Sequence, residues 1–505
     1  MQTDPLVVDT VSGRVRGRSL DGGGRLFAGI PFAAPPIGPL RLHPPQPVEA
    51  WTGVRDAVEF PLPPPQRGTM LMPQTMGHSL LGESSEDCLY LNVWTPDTPG
   101  PHPVLVWIYG GGFEIGSASP PMTDAAELAR RLDAVVVAAN YRVGALGFLH
   151  LADLDPAWVG RSNLGLQDQI AALGWVRDNI AAFDGDPAHV TVAGVSAGAF
   201  SIGALLTMPA AAGTFRRAIL NSGSTGRVYD AAQATAMASD LLAALGLSSP
   251  DDLLTVTADD ILDHQHTVVG GDLARRNLPG GRAWGTVLDG TVVTRQPQDA
   301  IVAGQATSIE VLVCANHDEA TLFQVAQGEA YRPSGEAQLL AEIATAGITQ
   351  PERMLDGYRT RDPRADLTGL RTLILTDAVY RIPAIRLAAA QVAAGGRAYT
   401  SLLVAHPRGP LLGACHSADL DYLFDHLANA PGDPADHTAV RDDMLRAWRS
   451  FIATGDPGWP IYDRTATGNT HQYGGATPFI TEPPHDTVGE LWATLDTAAT
   501  ATGPA

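Results

Sequence analysis

The stretch GVSAG at residues 194–198 decides the fold of this chain, because it places a reactive side chain among residues that allow a sharp turn. It follows the apolar run 190–193 and leads into a segment with a helical pattern. A G-x-S-x-G pentapeptide between a strand and a helix is typical of a nucleophile elbow, in which small neighbours let the backbone fold back beside a strained serine. Ser196 is therefore the candidate nucleophile. The pentapeptide alone is equally compatible with an ordinary glycine-rich turn, so the rest of the chain has to decide.

Strand and helix patterns alternate around this pentapeptide. The apolar runs 104–109 and 134–139 are typical of strands that are buried on both faces of a sheet. Between residues 166 and 183, apolar side chains recur at helical spacing, immediately before the strand that leads to Ser196. This strand–helix–strand order predicts an α/β protein with a large, mostly parallel, doubly wound sheet and helices on both faces.

The whole chain, residues 1–505, is predicted to form one domain, since large α/β enzymes are often a single continuous unit. Two segments, at about 228–305 and 320–395, have a mainly helical pattern and are predicted to be insertions that cover the site. Residues 60–85 are rich in Pro, Met and Gly and predict a long irregular loop. The Gly-, Thr- and Ala-rich segment 493–505 predicts a frayed tail.

Composition restricts the classes of function. Of the 505 residues, 45% are hydrophobic and 17% are charged, as in a globular protein with a large core. The formal net charge of −21 argues against nucleic acid and against an anionic membrane surface as partners. The start has no apolar run suited to a signal peptide, no segment is long enough to span a membrane, and three cysteines are too few for a disulfide framework. These features predict a cytoplasmic location.

Acyl transfer by a serine also requires donors for the oxyanion that develops on the substrate. The sequence YGGGF at 109–113 directly follows the predicted strand 104–109, and glycines there let amides approach a substrate oxygen without obstruction by side chains. We expect the amides of Gly111, Gly112 and Ala197 to form a three-donor oxyanion hole. The alternative is a plain tight turn, because three glycines carry no chemistry of their own.

The acid and the base of such a site follow the serine along the chain, in the order serine, acid, histidine. The predicted strand 310–315 runs into a loop in which both Asp318 and Glu319 are candidate acids by position. Fourteen histidines compete for the role of base, and His416 lies beyond the predicted strand 399–404, as the order requires. Spacing alone leaves both choices open.

Ten stretches of the chain match the pattern of one family. They are GIPFAAPPIGPLR (29–41), SEDCLYLNVWTP (85–96), VWIYGGGF (106–113), NYRVGALGFL (140–149), NLGLQDQIAALGWVRDNIAAFDGDP (163–187), ILNSGS (219–224), VLDG (287–290), NHDEA (316–320), GACHSADLDYLF (413–424) and WRSFIATGDPGWPIY (448–462). Together they resemble the type-B carboxylesterases, relatives of the cholinesterases, and among them the bacterial para-nitrobenzyl esterase type. The resemblance extends from about residue 7 to residue 462, and several motifs are long and specific.

The resemblance implies an α/β-hydrolase fold and a serine hydrolase that cleaves carboxylic esters through an acyl-enzyme intermediate. The family's acid falls on Glu319 and its histidine falls on His416, which with Ser196 implies a Ser-His-Glu triad. The implied partners are a small-molecule ester and water, and the implied chemistry uses no metal and no organic cofactor.

The same resemblance assigns supporting positions. The family's oxyanion glycines fall on Gly111 and Gly112, and its third donor falls on Ala197. Two positions that support the triad in the family fall on Ser222 and Asp419, and the same role is implied for them here.

The chain departs from the family pattern near the triad. Val195 stands where the family usually has a glutamate, so we expect a drier, less negative site in which deacylation or substrate preference is altered. Ala320 stands where a glycine usually follows the acid, and we expect local backbone strain there. Cys88 stands in a motif whose cysteine is disulfide-bonded in secreted animal members; no partner occurs at 52–87, so a buried thiol is expected.

The substrate is less well defined than the chemistry. No tryptophan occurs between Trp51 and Trp94, where the cholinesterases have one that binds quaternary ammonium, so acetylcholine is disfavoured. A general esterase pocket lined by Met, Leu and Phe fits better. The alternatives are a carbamate or anilide hydrolase with the same machinery and, more remotely, a non-catalytic cholinesterase-like binding module. The oligomeric state is left open by the sequence.

Overall fold

The apolar runs on either side of GVSAG form strands of one sheet in the computed structural model of the protein, which describes residues 5–68, 82–121 and 123–501. The strands in these residues are β1 (Val7–Thr10), β2 (Gly13–Arg16), β3 (Arg18–Ser19), β4 (Arg25–Pro31), β5 (Val54–Asp56), β6 (Tyr90–Thr95), β7 (His102–Ile108), β8 (Val135–Ala139), β9 (Gly185–Val195), β10 (Arg217–Asn221), β11 (Val228–Asp230), β12 (Thr286–Leu288), β13 (Glu310–Asn316), β14 (Arg397–Leu403), β15 (Thr470–Tyr473) and β16 (Phe479–Ile480).

Eleven of these strands form one mixed sheet in the order β16-β15-β14-β13-β10-β9-β7-β8-β6-β4-β3. All neighbouring pairs from β15 to β8 are parallel, whereas the pairs at both edges are antiparallel. Strand β8, with the sequence VVVAA, is buried along its whole length, as expected for β-branched residues in a strand that is covered on both faces. The predicted α/β class and the largely parallel sheet are confirmed.

Helices cover both faces of the sheet. Those in the described residues are α1 (Ala126–Leu132), α2 (Gly144–Phe148), α3 (Leu164–Asn179), α4 (Ala197–Leu205), α5 (Ala231–Ala244), α6 (Ala258–Gln265), α7 (Pro297–Val302), α8 (Thr321–Gln327), α9 (Glu336–Thr345), α10 (Pro351–Arg361), α11 (Leu367–Thr376), α12 (Ile382–Ala393), α13 (Asp419–Leu423), α14 (Pro434–Thr454) and α15 (Thr487–Ala501). Helix α3 corresponds to the helix expected from the apolar spacing before Ser196. It precedes β9 and the turn that follows, in the predicted order.

The parallel register brings the carboxyl ends of four strands to one edge of the sheet. Ile108 at the end of β7 pairs with Gly194, and Val195 at the end of β9 pairs with Asn221 at the end of β10. Asn221 also pairs with Cys314 of β13. Ligand sites of open α/β sheets lie at this edge. The loops that carry the candidate residues therefore leave the sheet side by side.

The predicted insertions and termini have more structure than their patterns indicate. The segment at 228–305 contains helices α5 to α7, but also the two-stranded parallel sheet β11–β12, which the helical pattern did not predict. The segment at 320–395 contains helices α8 to α12. Helix α15 covers most of the segment for which a frayed tail is predicted, and residues 502–505 lie outside the described part.

Two further expectations can be compared with the described residues. Most of the irregular loop predicted at 60–85 lies outside them, since residues 69–81 are not described. Cys88 is a buried free thiol, as expected, and burial raises its pKa. Within 5–68, 82–121 and 123–501, no helix is both long and apolar enough to cross a membrane.

Candidate active site

Ser196 lies in a strained turn between β9 and α4. Its φ of 54° and ψ of −120° are unusual for a residue with a side chain. A Cβ atom on Gly198 would lie 2.1 Å from the Ile108 carbonyl oxygen, and one on Gly194 would lie 2.6 Å from the same oxygen. The Ser196 amide donates to the Asn221 carbonyl at 2.9 Å, which ties the turn to the next strand. The turn thus requires glycine two residues before and two residues after the serine.

The two predicted partners of the serine contact each other. His416 Nδ1 lies 2.6 Å from a carboxylate oxygen of Glu319. Glu319 is fully buried, and its other carboxylate oxygen accepts the amide hydrogen of Asn316 at 2.8 Å. The His416 amide also donates to the Glu319 carbonyl at 3.2 Å, which holds the histidine loop against the end of β13.

Asp318, the other candidate acid, is directed elsewhere. Its carboxylate accepts the amide hydrogen of Ala414 at 2.9 Å and lies 2.7 Å from His317 Nδ1. Of the two adjacent carboxylates, Glu319 is therefore the one in contact with His416.

Ser196 and His416 line the same open cavity. We call its strand-end side the floor: Gly110, Gly111, Gly112, Val195, Ser196 and His416. We call the part of the lining that comes from the segment after β10 and from the helical region after β13 the wall: Arg227, Leu273, Arg276, Asn277, Leu322, Phe323 and Tyr380. The remaining lining residues are Glu114, Ile115, Ser417 and Leu420.

The glycine loop, residues 110–112, packs closely against the backbone of Ile115. Gly111 has a φ of 125°, and a Cβ atom there would lie 2.1 Å from the Ile115 carbonyl oxygen. Ala197 is the first residue of α4 and is completely buried. Among the described residues, none accepts a hydrogen bond from the amides of Gly111, Gly112 or Ala197. Gly111 and Gly112 line the same cavity as Ser196.

The two predicted supporting residues differ in their contacts. Asp419 accepts hydrogen bonds from the side chains of Asn221, at 2.6 Å, and Asn316, at 3.3 Å. Burial, together with the negative charge of Glu319, raises the pKa of Asp419 to about 6. Ser222 is buried with a φ of 52°, but its hydroxyl has no hydrogen-bond partner among the described residues.

The two departures from the family pattern also differ in outcome. Val195 is buried and lines the floor beside Ser196. Ala320 has a φ of −76° and a ψ of −7°, which is ordinary for an alanine, and its amide donates to Thr376 Oγ1 at 3.0 Å. The expected backbone strain at Ala320 is therefore wrong, because the turn does not need the left-handed conformation that favours glycine.

Sequence reasoning missed the charged and aromatic groups of the wall. Tyr380 lies in a π-helical turn, and its ring centroid is 4.7 Å from that of His416; the corresponding distance for Phe323 is 5.7 Å. Arg227 and Arg276 also line the cavity, where an apolar lining of Met, Leu and Phe was expected. The described lining residues include Leu and Phe but no Met, and most of the loop expected to contribute to the lining lies outside the described residues. The one available signal was that Arg227 closely follows the ILNSGS motif.

No group of three or more His, Cys, Asp and Glu side chains in the described part of the chain is arranged to hold a metal ion. A model of the carboxylesterase family matches residues 4–474. The chain belongs to the carboxylesterase family. It is a carboxylic-ester hydrolase of the α/β-hydrolase fold, in agreement with the family resemblance of its motifs.

Similar proteins include other members of this family. The chain is 35% identical to the para-nitrobenzyl esterase of Bacillus subtilis (strain 168), over 90% of this carboxylesterase and 92% of that protein. It is 33% identical to the fumonisin B1 esterase of Sphingopyxis macrogoltabida, over 92% and 86% of the two chains. The crystal structure of a Geobacillus stearothermophilus carboxylesterase at pH 6.2 has a TM-score of 0.80 and 36% identity, covering 90% of this chain and 94% of that one.

Proposed function

We propose that this carboxylesterase cleaves esters through an acyl-enzyme intermediate, with Ser196 as nucleophile, His416 as base and Glu319 as the acid that orients the base. The observation that carries the proposal is the 2.6 Å contact between His416 Nδ1 and Glu319, together with the shared cavity of Ser196 and His416. A buried carboxylate at Nδ1 fixes the tautomer of the imidazole and leaves Nε2 to exchange a proton.

The reaction follows from these roles. Ser196 Oγ attacks the ester carbonyl carbon while His416 Nε2 takes its proton, and Glu319 stabilises the imidazolium that forms. When the tetrahedral intermediate collapses, the carbon–oxygen bond to the alcohol breaks and His416 gives its proton to the leaving oxygen. Water then attacks the acyl-enzyme with His416 again as base, which releases the carboxylic acid and restores Ser196.

The amides of Gly111, Gly112 and Ala197 are proposed to hold the oxyanion in both tetrahedral intermediates. Their support is that no described residue takes their hydrogens and that the glycine loop and Ser196 face the same cavity. Fixed donors in a buried site stabilise developing charge without reorganisation at the moment of reaction.

Asp419 is proposed to position the triad by bridging two strand ends. It binds the side chains of Asn221 and Asn316, and the Asn316 amide in turn binds Glu319. The supporting role of Ser222 stays a prediction from the family resemblance. The cytoplasmic location stays a prediction from the sequence features described above.

The test is a panel of 4-nitrophenyl esters of increasing acyl length, with carbamate and anilide analogues, on the wild type and on Ser196→Ala. We expect the variant to lose at least about 10,000-fold in kcat/KM, because the nucleophile and its base act as a unit. An organophosphate should label Ser196 in the wild type. Carbamate or anilide turnover at rates near those of the esters would assign the alternative activity.

Ser162→Ala is the matched control. Ser162 Oγ lies 2.7 Å from His150 Nδ1, so it is also a buried serine in contact with a histidine, but it does not line the cavity. We expect this variant to keep its turnover and its labelling. Retained activity in Ser196→Ala, with no label on Ser196 in the wild type, would overturn the proposed mechanism.

A further inference from the structure

The wall of the cavity contains a guanidinium group, that of Arg227, for which the described residues provide no counter-charge. Arg227 is packed against two aromatic rings, with its Cζ atom 5.2 Å from the ring centroid of Phe113 and 5.3 Å from that of Phe200. Its Nε and Nη2 atoms are buried and have no hydrogen-bond partner among the described residues. Aromatic faces stabilise the cation, but they do not accept its N–H groups in the plane of the guanidinium.

A second guanidinium lies near the glycine loop. Arg276 is 9% exposed, and one of its nitrogens lies 3.0 Å from a carboxylate oxygen of Glu114. Another nitrogen lies 3.8 Å from the position that a Cβ atom on Gly112 would take. Both Arg276 and Glu114 line the cavity. Within the part of the chain that the structure describes, Arg276 is thus paired and Arg227 is not.

The charges around the cavity leave an excess of positive charge on the wall. Among the described lining residues Glu114 is the one carboxylate, and it pairs with Arg276. Below the floor, Glu319 pairs with His416, and Asp419 is held by two asparagine side chains. None of these carboxylates contacts Arg227. Arg227 as a whole is only partly buried, but two of its guanidinium nitrogens have lost contact with water without gaining an acceptor, which is costly. Its position at the lining of a ligand cavity therefore favours an anion from outside the chain as its partner.

We propose that Arg227, with Arg276 as the second cation of the wall, binds a free carboxylate on the substrate, so that this enzyme prefers esters that also carry a carboxylate. The inference rests on the proposed function, because it places that carboxylate in the cavity of Ser196. Arginine presents its N–H groups in a fork that fits a carboxylate, which gives both affinity and orientation. The carboxylate belongs either to the acyl group, as in a half-ester of a dicarboxylic acid, or to the alcohol.

Two matched pairs of esters test the proposal and distinguish these sources. For the acyl side, 4-nitrophenyl hemiglutarate is compared with 4-nitrophenyl pentanoate; for the alcohol side, 4-acetoxybenzoate is compared with phenyl acetate. In the wild type we expect kcat/KM of the charged member to exceed that of the neutral member in one pair. In Arg227→Gln the ratio within that pair should fall about 10- to 100-fold, the usual range for loss of a charged hydrogen bond. The Arg227→Lys variant should retain part of the preference for the charged ester, because lysine keeps the positive charge.

Arg161→Gln is the matched control, because Arg161 also stacks on an aromatic ring, at 4.8 Å from Trp158, but does not line the cavity. Its charged-to-neutral ratio should equal that of the wild type. If Arg227→Gln does not fold, protection of wild-type Ser196 from organophosphate labelling by glutarate, and not by pentanamide, supports the proposal instead.

Two results would overturn the inference. One is a wild-type enzyme that hydrolyses both neutral esters through Ser196 and shows no preference for either charged ester. The other is an Arg227→Gln variant that loses activity on both members of a pair by the same factor, since Arg227 would then serve the fold. Failure of the proposed function has a different signature, because Ser196 would not be labelled and Ser196→Ala would remain active.

Discussion

The floor and the wall of the cavity are built from different parts of the chain. The floor comes mainly from short loops at the ends of neighbouring parallel strands. The pairing register of these strands determines which residues of adjacent loops lie side by side. The wall comes from the segment after β10 and from the helical region after β13, and its residues meet only through tertiary packing. Arg227 and Tyr380 are separated by more than a hundred residues in sequence, yet both line the same cavity.

This difference predicts that the floor determines the reaction rate and that the wall determines substrate selectivity. In the proposed mechanism, floor residues face the reacting atoms of any ester, so changes there should lower the rate on all esters by similar factors. In the same proposal, wall residues face the parts of the substrate that differ between esters, so changes there should alter the ratios between substrates. The Arg227 variants test the wall, and the following variants test the floor and what lies beneath it.

The largest effect is expected for Glu319→Gln. The amide side chain keeps the volume but can donate to His416 Nδ1, which favours the wrong tautomer of the imidazole, and kcat should fall about 1,000- to 10,000-fold. The factor should be the same for short and long acyl groups, as measured with 4-nitrophenyl esters. If the loss of kcat in Glu319→Gln varies strongly with acyl length, the proposed difference in role between floor and wall is wrong.

Asp318→Asn is the control for that variant, because the two carboxylates are adjacent and only Glu319 contacts His416. We expect Asp318→Asn to stay within about tenfold of wild-type kcat, since it weakens a contact to the Ala414 amide rather than the triad. If the two variants are equally impaired, Glu319 is not the orienting acid.

Val195→Glu should have an intermediate effect, because this side chain belongs to the floor but lies beside the substrate. A carboxylate there adds negative charge next to His416 and Arg227. We expect the ratio of deacylation to acylation rates to change about tenfold, the equivalent of one pKa unit, with a reduced preference for anionic esters. Acylation bursts and steady-state rates measure the ratio.

Val195→Gln separates charge from size in that experiment, since it adds the same volume without the carboxylate. We expect it to alter the kinetics less than Val195→Glu does. Unchanged bursts, kcat and ester selectivity in Val195→Glu would refute the idea that this position distinguishes the enzyme from its relatives.

The smallest effect on rate, but a measurable one on stability, is expected for Asp419→Asn. The pKa of Asp419 is raised to about 6 from 3.8, so the folded state holds its proton more tightly than the unfolded chain does. Its contribution to the free energy of unfolding is therefore present below about pH 4 and is lost as the pH rises through about 6. Relative to Asp419→Asn, the wild type should lose on the order of 2 to 3 kcal/mol over that range.

Denaturant unfolding of both proteins from pH 4 to pH 7 measures this difference. A constant difference across the range would show that Asp419 titrates normally in the folded protein. The asparagine retains one acceptor for the two asparagine side chains that bind Asp419, so the variant should still fold.

The sequence was sufficient for the fold and for the candidate residues of the floor, because both depend on short-range signals. Apolar runs predicted β7, β8, β13 and β14, and glycines marked the turns that follow β7 and β9. The choice between Asp318 and Glu319 could not be made from spacing, since neighbouring side chains point in different directions and the contact with His416 depends on the loop. The family pattern made that choice, and the contact distance agrees with it.

The wall could not be predicted for a physical reason. Tyr380 faces His416 because a π-helical turn at Asp377–Arg381 shifts the helical phase between α11 and α12. Nothing in the local sequence indicates such a turn. Similarly, the packing of Arg227 against Phe113 and Phe200 brings together three separate segments of the chain.

The carbonyl oxygen of Ile108 has a consequence for the engineering of this enzyme. Since positions 194 and 198 both face that single oxygen at less than van der Waals distance from any added Cβ, a saturation library at either codon should return glycine alone. Position 195, between the serine and the first of these glycines, is free of that restriction, because its side chain points into the cavity. Within the five codons 194–198, we therefore expect positions 194 and 198 to tolerate only glycine and position 195 to accept substitutions that change reactivity.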